Sequence, residues 1–364
     1  MISPVKIIIG EKEKKLVNEV LDSGMLAQGP KVKEFEEKFA QLCGVKHAIA
    51  VNNGTSALHT SLFAAGIKPG DEVITVPFTF VATANSIIMQ GAKPIFVDVK
   101  EDTFNIDPEK VKEAVTDKTK AIIPVDLYGQ VYDYKAIKKI ADDYGLKIIE
   151  DAAQAVNAEL DGTKSGNFGN VSAFSFYATK NMITGEGGMV TTNDDEIAEK
   201  SKLFRHHGQS EKTRYEYYCM GYNYRMMDLQ AAIALGQIEK INEFTEKRIE
   251  NAKLLSDGLK DVNGIITPFV KPNAKHVFHQ YTIKVDKFRL TRDKLVEHLK
   301  TNGVGCGVYY PKPLHLHPWF ANLGYKEGNF PVSEMLSKNV LSLPVHPGLS
   351  KEDINKIIEV IKNA

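Results

Sequence analysis

Cysteine is scarce in this chain, and what there is lies scattered. Cys43, Cys219 and Cys306 form neither the closely spaced even set of a disulfide-stapled secreted domain nor the paired spacing of a zinc site. Net charge is missing too. The 46 Lys and Arg balance 46 Asp and Glu, so no long-range field draws the protein to nucleic acid or to an anionic membrane. No apolar run approaches the roughly eighteen residues that span a bilayer. The opening MISPVKIIIGEKEKK has only three consecutive isoleucines before its charges, too short for a secretory apolar core. A cytoplasmic protein with no nucleic-acid and no membrane partner is expected. Nucleotide-binding glycine signatures are also lacking: GEGGMV and GVGCGV do not complete G-x-G-x-x-G, and no G-x-x-x-x-G-K-[ST] occurs. Asn53-Gly54-Thr55 fits the glycosylation acceptor pattern, a chance match without a secretory route.

What is present is a chain of 364 residues, 43% hydrophobic and 25% charged, a length that suits one large α/β domain and a smaller one. From about Val45 to Val190, seven short apolar runs, HAIAV, DEVITV, KPIFVDV, KAIIPVDL, LKIIEDA, VSAFSF and GGMVTT, alternate with helix-length stretches such as Thr55–Gly66 and Pro108–Val115. Strands separated by helices require crossovers, hence an α/β fold with a mostly parallel sheet covered on both faces. VSAFSF and GGMVTT are close enough in sequence for one strand to run antiparallel. The segment beginning DLQAAIALGQIEKINEF has apolar spacings of three and four that suit one long connecting helix. Residues 1–245 then form the large domain. Residues 246–364 form a small α+β domain with strands FHQYTIKV and GVGCGVYY and helices TRDKLVEHLKTNG and KEDINKIIEVIKNA.

Three patterns carry chemistry. In SAFSFYATKNMITGEGGMV, Lys180 stands between a strand and a loop containing Gly185, Gly187 and Gly188, where backbone can approach a ligand closely. A lysine capping a strand end would read the same way. In AVNNGTSALHTSLFAAG, a strand ends at Asn52–Asn53 and Thr55 and Ser56 open an amphipathic helix. Helix-start amides beside two hydroxyls make an anion site, and either hydroxyl could equally be a plain N-cap. In LKIIEDAAQAV, Asp151 ends an apolar strand and Gln154 follows three residues later. Ligands of open parallel sheets sit outside the carboxyl ends of strands, and a carboxylate buried there needs a cationic partner. Capping of the next turn is the other reading. An anion site, a buried aspartate and an amine together match the three handles of pyridoxal 5'-phosphate: phosphate, ring nitrogen and aldehyde.

NGTSAL, PFTFVATANSI, VDLYGQ, EDAAQA, SFYATKNMITGEGG, RHHG and GYNYRM occur in this order over nearly the whole chain. Together they resemble the DegT/StrS family of sugar aminotransferases, pyridoxal-phosphate enzymes of fold type I. The resemblance implies that Lys180 is the Schiff-base lysine, that Asp151 pairs with the ring nitrogen and that Gln154 lies near the phenolic oxygen. It also implies that Phe80 stacks on the ring, and that Thr55, Ser56 and Ser175 hold the phosphate. Asn223 would reach that phosphate from a second subunit, which makes the protein a homodimer with shared sites. Tyr309, Tyr310 and His315 of GVYYPKPLHLHPWF and Arg225 of GYNYR are implied substrate contacts, Arg225 through bidentate pairing. Family members with histidine at the lysine position are dehydratases; lysine stands here, which favours amine transfer.

The implied reaction turns the keto group of a UDP- or dTDP-linked sugar into an amine with glutamate as donor. Alternatives are dehydration, amination of a cyclitol or other non-nucleotide ketone, and a regulator that keeps the fold without turnover. His315 and His317 lack the cysteine or carboxylate company of a metal site, so no metal is expected. His206 and His207 read as structural or substrate-adjacent.

Overall fold

The computed structural model describes residues 1–210, 213 and 215–364. All seven apolar runs form strands of one sheet: β1 (His47–Val51), β2 (Glu72–Thr75), β3 (Lys93–Phe96), β4 (Thr119–Ile122), β5 (Lys147–Asp151), β6 (Val171–Ser175) and β7 (Gly188–Thr192). Their order is β1-β7-β6-β5-β4-β2-β3. Strand β7 alone is reversed, pairing antiparallel with β1 on one side and β6 on the other, while the remaining neighbours pair in parallel. The fold is α/β with a mostly parallel sheet in which β7 runs antiparallel to both of its neighbours.

Helices cover both faces, so the strands are buried almost throughout, as parallel strands must be. On one face lie α1 (Glu11–Ser23) and α2 (Pro30–Cys43). Phe35 and Phe39 of α2 meet Phe174 and Phe176 edge to face, with ring centroids 5.0–5.3 Å apart. On the other face, α3 (Gly54–Ala64) packs Leu58 and Leu62 with Ile49, Val73 and Ile149.

The anticipated single connecting helix is two helices, α4 (Asp228–Ile238) and α5 (Ile241–Leu259). A tightened turn marks the break. The Lys240 amide bonds to Gln237 O, three residues back, at 3.0 Å, a tightened 3₁₀ turn. That turn sends Lys240 Nζ to the buried Glu13 carboxylate of α1, 2.7 and 2.8 Å from its two oxygens. We infer that the passage between the two units lies in α5, since Ile241 joins the sheet's core whereas Ala252, Leu255 and Leu259 join a second core built from residues of the C-terminal part. Ile2 packs in that second core as well.

The second unit contains the anticipated strand at Tyr281–Val285 and helices at Arg292–Thr301 and Lys351–Lys362. GVGCGVYY is not a strand; it makes only single bridges, Val304 with Ile2 and Gly307 with Ser342. The third strand of the small sheet is Val340–Leu343 instead. Glycine explains the difference: Gly303 has φ +77°, and a Cβ on Gly305 would stand 2.8 Å from Ile2 O, so the segment is packed too closely for a regular pleat. Among the described residues no helix is long and apolar enough to cross a membrane.

Candidate active site

Five of the parallel strands end on one side of the sheet, and the segments just beyond their carboxyl ends enclose a cavity of about 950 Å³. Asn53 to Ser56 follow β1, Thr79 to Thr83 follow β2, Val125 and Tyr128 follow β4, Asp151 to Gln154 close β5, and Ser175 to Lys180 leave β6. Crevices at this edge of an open α/β sheet are where ligands bind.

Lys180 lies on the cavity wall, on the turn after β6, its amide bonded to Tyr177 O at 2.8 Å. Burial pushes its amine down to about 8, and only the nearby Asp151 pulls the other way. Desolvation disfavours an ammonium, so a far larger share of this lysine is neutral at pH 7 than of a surface lysine. Asp151 is 4% exposed. Burial pushes its carboxyl up, opposed by hydrogen bonds and by Lys180. Its Oδ2 accepts from Thr83 Oγ1 at 2.7 Å and its Oδ1 from the Ala153 amide at 3.2 Å. Thr79 Oγ1 is 3.0 Å from Thr83 Oγ1. Because the Thr83 proton is committed to a carboxylate, Thr79 is the donor, giving a directed chain Thr79 to Thr83 to Asp151 that favours the ionised form.

The helix start of α3 is capped by neither Thr55 nor Ser56. Asn53 is the N-cap, its Oδ1 taking the Ser56 amide at 2.8 Å. Thr55, Ser56 and Ser175 instead line the cavity together with Gly54. Gly54 is required by proximity, since a Cβ there would lie 2.7 Å from Ser175 Cβ. The glycine loop serves the same turn. A Cβ on Gly188 would stand 2.3 Å from Asn53 O, so the close approach anticipated between loop and ligand is at Gly188 an approach between loop and the α3 turn.

Gln154 is fixed at both ends: Oε1 accepts from the Tyr128 amide at 2.8 Å, and Nε2 donates to Tyr310 Oη at 3.1 Å. Phe80 is 56% exposed on the cavity wall, its ring centroid 6.4 Å from that of Tyr310. Tyr309 lines the cavity too. Burial raises the Tyr310 hydroxyl above its ordinary value, keeping it a neutral hydrogen-bonding group.

Three anticipated residues are not brought into this cavity. Asn223 is exposed, on a segment that runs along the end of β1, where Tyr224 O accepts the Asn52 amide at 2.8 Å. Arg225 stacks its Nη1 2.8 Å from His206 Nδ1. His315 is 1% exposed, with Nε2 3.0 Å from Glu334 Oε1 and its ring edge-on to Phe330; that is a packing position, and His315 leaves the set of substrate contacts. Residues absent from the sequence reading but present at the site include Thr79, Thr83, Tyr128 and His279. The two threonines of PFTFVATANS were the available signal: Thr79 lies on the bend before the helix Ala82–Met89 and Thr83 in its first turn, which brings their hydroxyls to 3.0 Å. His279 is buried, which with Lys180 and Arg248 nearby holds its ring well below the usual range and neutral.

With that geometry in place, comparison with known proteins decides the family: a family model described as the DegT/DnrJ/EryC1/StrS aminotransferase family matches residues 7–362. The chain belongs to this family. It is similar to the GDP-perosamine synthase of Caulobacter vibrioides, 41% identical over 96% of this chain and 94% of that one. It is also similar to the UDP-2-acetamido-2-deoxy-3-oxo-D-glucuronate aminotransferase of Pseudomonas aeruginosa, 40% identical over 95% and 94%. Among solved structures, DesV of S. venezuelae in complex with a ketimine intermediate superposes with a TM-score of 0.93 at 36% identity, covering 96% of this chain and 93% of that one. The fold is therefore fold type I, and the protein is an aminotransferase. The family implies pyridoxal 5'-phosphate, and the residues present fit it: a helix start with two flanking serines for the phosphate, a buried, hydrogen-bonded Asp151 for the ring nitrogen and a partly neutral amine for the aldehyde.

Proposed function

We propose that this chain is a pyridoxal-phosphate-dependent aminotransferase that converts the keto group of a nucleotide-linked sugar to an amine, with glutamate as the donor. The observation that carries the reading is one cavity in which a lysine depressed to about 8 stands near a buried, hydrogen-bonded aspartate. The relatives named above act, by their names, on GDP- and UDP-linked sugars, which supports a nucleotide-linked substrate here.

The cofactor, when bound, supplies an electron sink that stabilises negative charge at the carbon bearing the amine. Asp151 supports this by holding the ring nitrogen's proton, and Thr83 holds Asp151 ionised. Lys180 Nζ would carry the proton in each half-reaction, from the donor's carbon to the cofactor in the first and from the cofactor to the sugar's carbon in the second, as a base whose proton affinity lies near working pH. Thr55, Ser56 and Ser175 orient the phosphate, and Phe80 covers the ring face. Gln154 and Tyr310 form a rigid pair beside the phenolic oxygen. Asn223, exposed and outside its own cavity, reaches the neighbouring site of a homodimer, with Arg225 beside it on the substrate side.

Testing takes the purified protein loaded with pyridoxal 5'-phosphate, glutamate, and a panel of UDP-, dTDP- and GDP-linked keto sugars. Amino sugar and 2-oxoglutarate in equal amounts are expected, and neither with Lys180→Ala. Turnover of free cyclitol ketones but of no nucleotide sugar would favour the alternative substrate class, and no 2-oxoglutarate with any acceptor would refute glutamate as donor.

A further inference from the structure

Three hydrogen bonds at the cavity close into a ring, and the residue at its head, Tyr128, has no part in the reaction derived above. Tyr128 follows β4, is 2% exposed, and has φ +60°, a left-handed conformation that a residue other than glycine keeps only where its surroundings impose it. Those surroundings are specific. Its amide donates to Gln154 Oε1 at 2.8 Å, its hydroxyl donates to Tyr309 O, and its carbonyl accepts the Gln280 amide at 3.3 Å. Gln154 Nε2 reaches Tyr310 Oη at 3.1 Å, and the peptide link from Tyr309 to Tyr310 completes the ring.

Every direction in that ring is determined. A backbone amide can only donate, so the Gln154 atom facing Tyr128 is its oxygen and the atom facing Tyr310 is its NH2. Tyr310 Oη therefore accepts from Gln154, and its own O–H has no acceptor among the described residues. Tyr310 lines the cavity near enough to interact with the Asp151 charge, so this uncommitted proton stands beside the reacting centre. A ketone brings to that centre an oxygen that accepts hydrogen bonds and cannot donate them. Resting on the reading that the acceptor is a keto sugar, we propose that Tyr310 donates its O–H to the sugar's keto oxygen and that Tyr128 is the positioning residue that aims it, through Tyr309 O on one side and Gln154 on the other.

Tyr128→Phe and Tyr310→Phe each remove one hydroxyl and keep the ring, which for Tyr128 packs edge-on to Phe104 at 5.2 Å. With the keto sugar that the wild-type holoenzyme aminates best, kcat/KM for the sugar is expected to fall about tenfold in either variant. A smaller fall is expected in kcat/KM for glutamate, which reports the other half of a ping-pong cycle. The double variant loses no more than Tyr310→Phe alone, because Tyr128 acts through Tyr310. Calorimetry on the cofactor-free protein reads the same contact without turnover, and the dissociation constant for that sugar rises in Tyr310→Phe. Losses that add in the double variant, equal falls for sugar and glutamate, or a wild-type dissociation constant in folded Tyr310→Phe would each overturn the proposal while the aminotransferase reading stands. A wild type that makes 2-oxoglutarate with no keto sugar at all overturns both.

Discussion

Lys180 and Asp151 determine each other's charge, and the balance is set by burial. A lysine of ordinary proton affinity is neutral about once in 2,500 molecules at pH 7, and one near 8 about once in ten. In the cofactor-free protein, acylation of Lys180 by an amine-directed reagent, followed by peptide mass spectrometry, is expected to titrate with a midpoint near 8, well below the surface lysines. The sign for stability follows: between about pH 8 and the ordinary lysine value the unfolded chain binds more protons here, so this group's contribution to stability rises with pH across that window. A midpoint shared with the surface lysines would show that the site does not desolvate the amine. Thr83 is a positioning residue. Thr83→Val removes the 2.7 Å bond to Asp151 at nearly constant shape, and a hydrogen bond to a charged group is worth about 1.5–3 kcal/mol. The dissociation constant for pyridoxal 5'-phosphate, measured by fluorescence titration, is expected to rise roughly tenfold or more, and Thr83→Ser to restore it.

The helix starts are where the elements carry function, and two of them are held from a distance. Gly29 at the start of α2 has no side chain to cap with, and Asp228 supplies the cap from α4. Its carboxylate takes the amides of Gly29 at 2.8 Å, Val32 at 3.0 Å and Lys31 at 3.2 Å. Asp228→Ala strips all three, and urea unfolding is expected to show a loss of about 2–3 kcal/mol. Gly188→Ala forces a methyl against Asn53 O, displacing the turn into α3. Lower cofactor affinity is expected with the sheet intact by circular dichroism; wild-type affinity would mean that the α3 start does not shape the phosphate site. The strands were legible because their apolar runs are short and bounded by turn residues. Asp151 and Lys180 were legible because polar groups at strand ends stand out from such runs. The break at Lys240 and the irregular Gly303–Gly307 segment were not, because each depends on a partner far away in sequence, Glu13 in the first case and Ile2 in the second. His315 misled because a histidine among prolines and aromatics reads the same whether its ring faces a ligand or, as here, Glu334.

Across the whole molecule, a buried carboxyl pair beneath the site links stability to pH. Asp126 and Glu150 are both fully buried, sharing Ser165 Oγ at 3.1 and 3.0 Å, and burial followed by the Glu150 charge raises Asp126 well above its ordinary value. Folded Asp126 thus retains a proton that the unfolded chain releases, so its contribution is fully present below the ordinary carboxylate range and declines as pH rises toward the raised value. Asp126→Asn is expected to flatten that decline in melting temperature; an unchanged slope would place the effect elsewhere. At the same scale, the exposed Asn223 predicts complementation. Lys180→Ala and Asn223→Ala proteins, each impaired alone, are expected to regain activity when unfolded and refolded together, because one mixed site then has both residues intact. Absence of recovery in a demonstrated mixed dimer would confine each site to one chain.

The covalent claim about Lys180 is tested most directly by incubating the protein with pyridoxal 5'-phosphate, reducing with borohydride and mapping the modified peptide. The pyridoxyl mass is expected on the peptide containing Lys180 and nowhere else; a label on another residue, or none, would contradict the account.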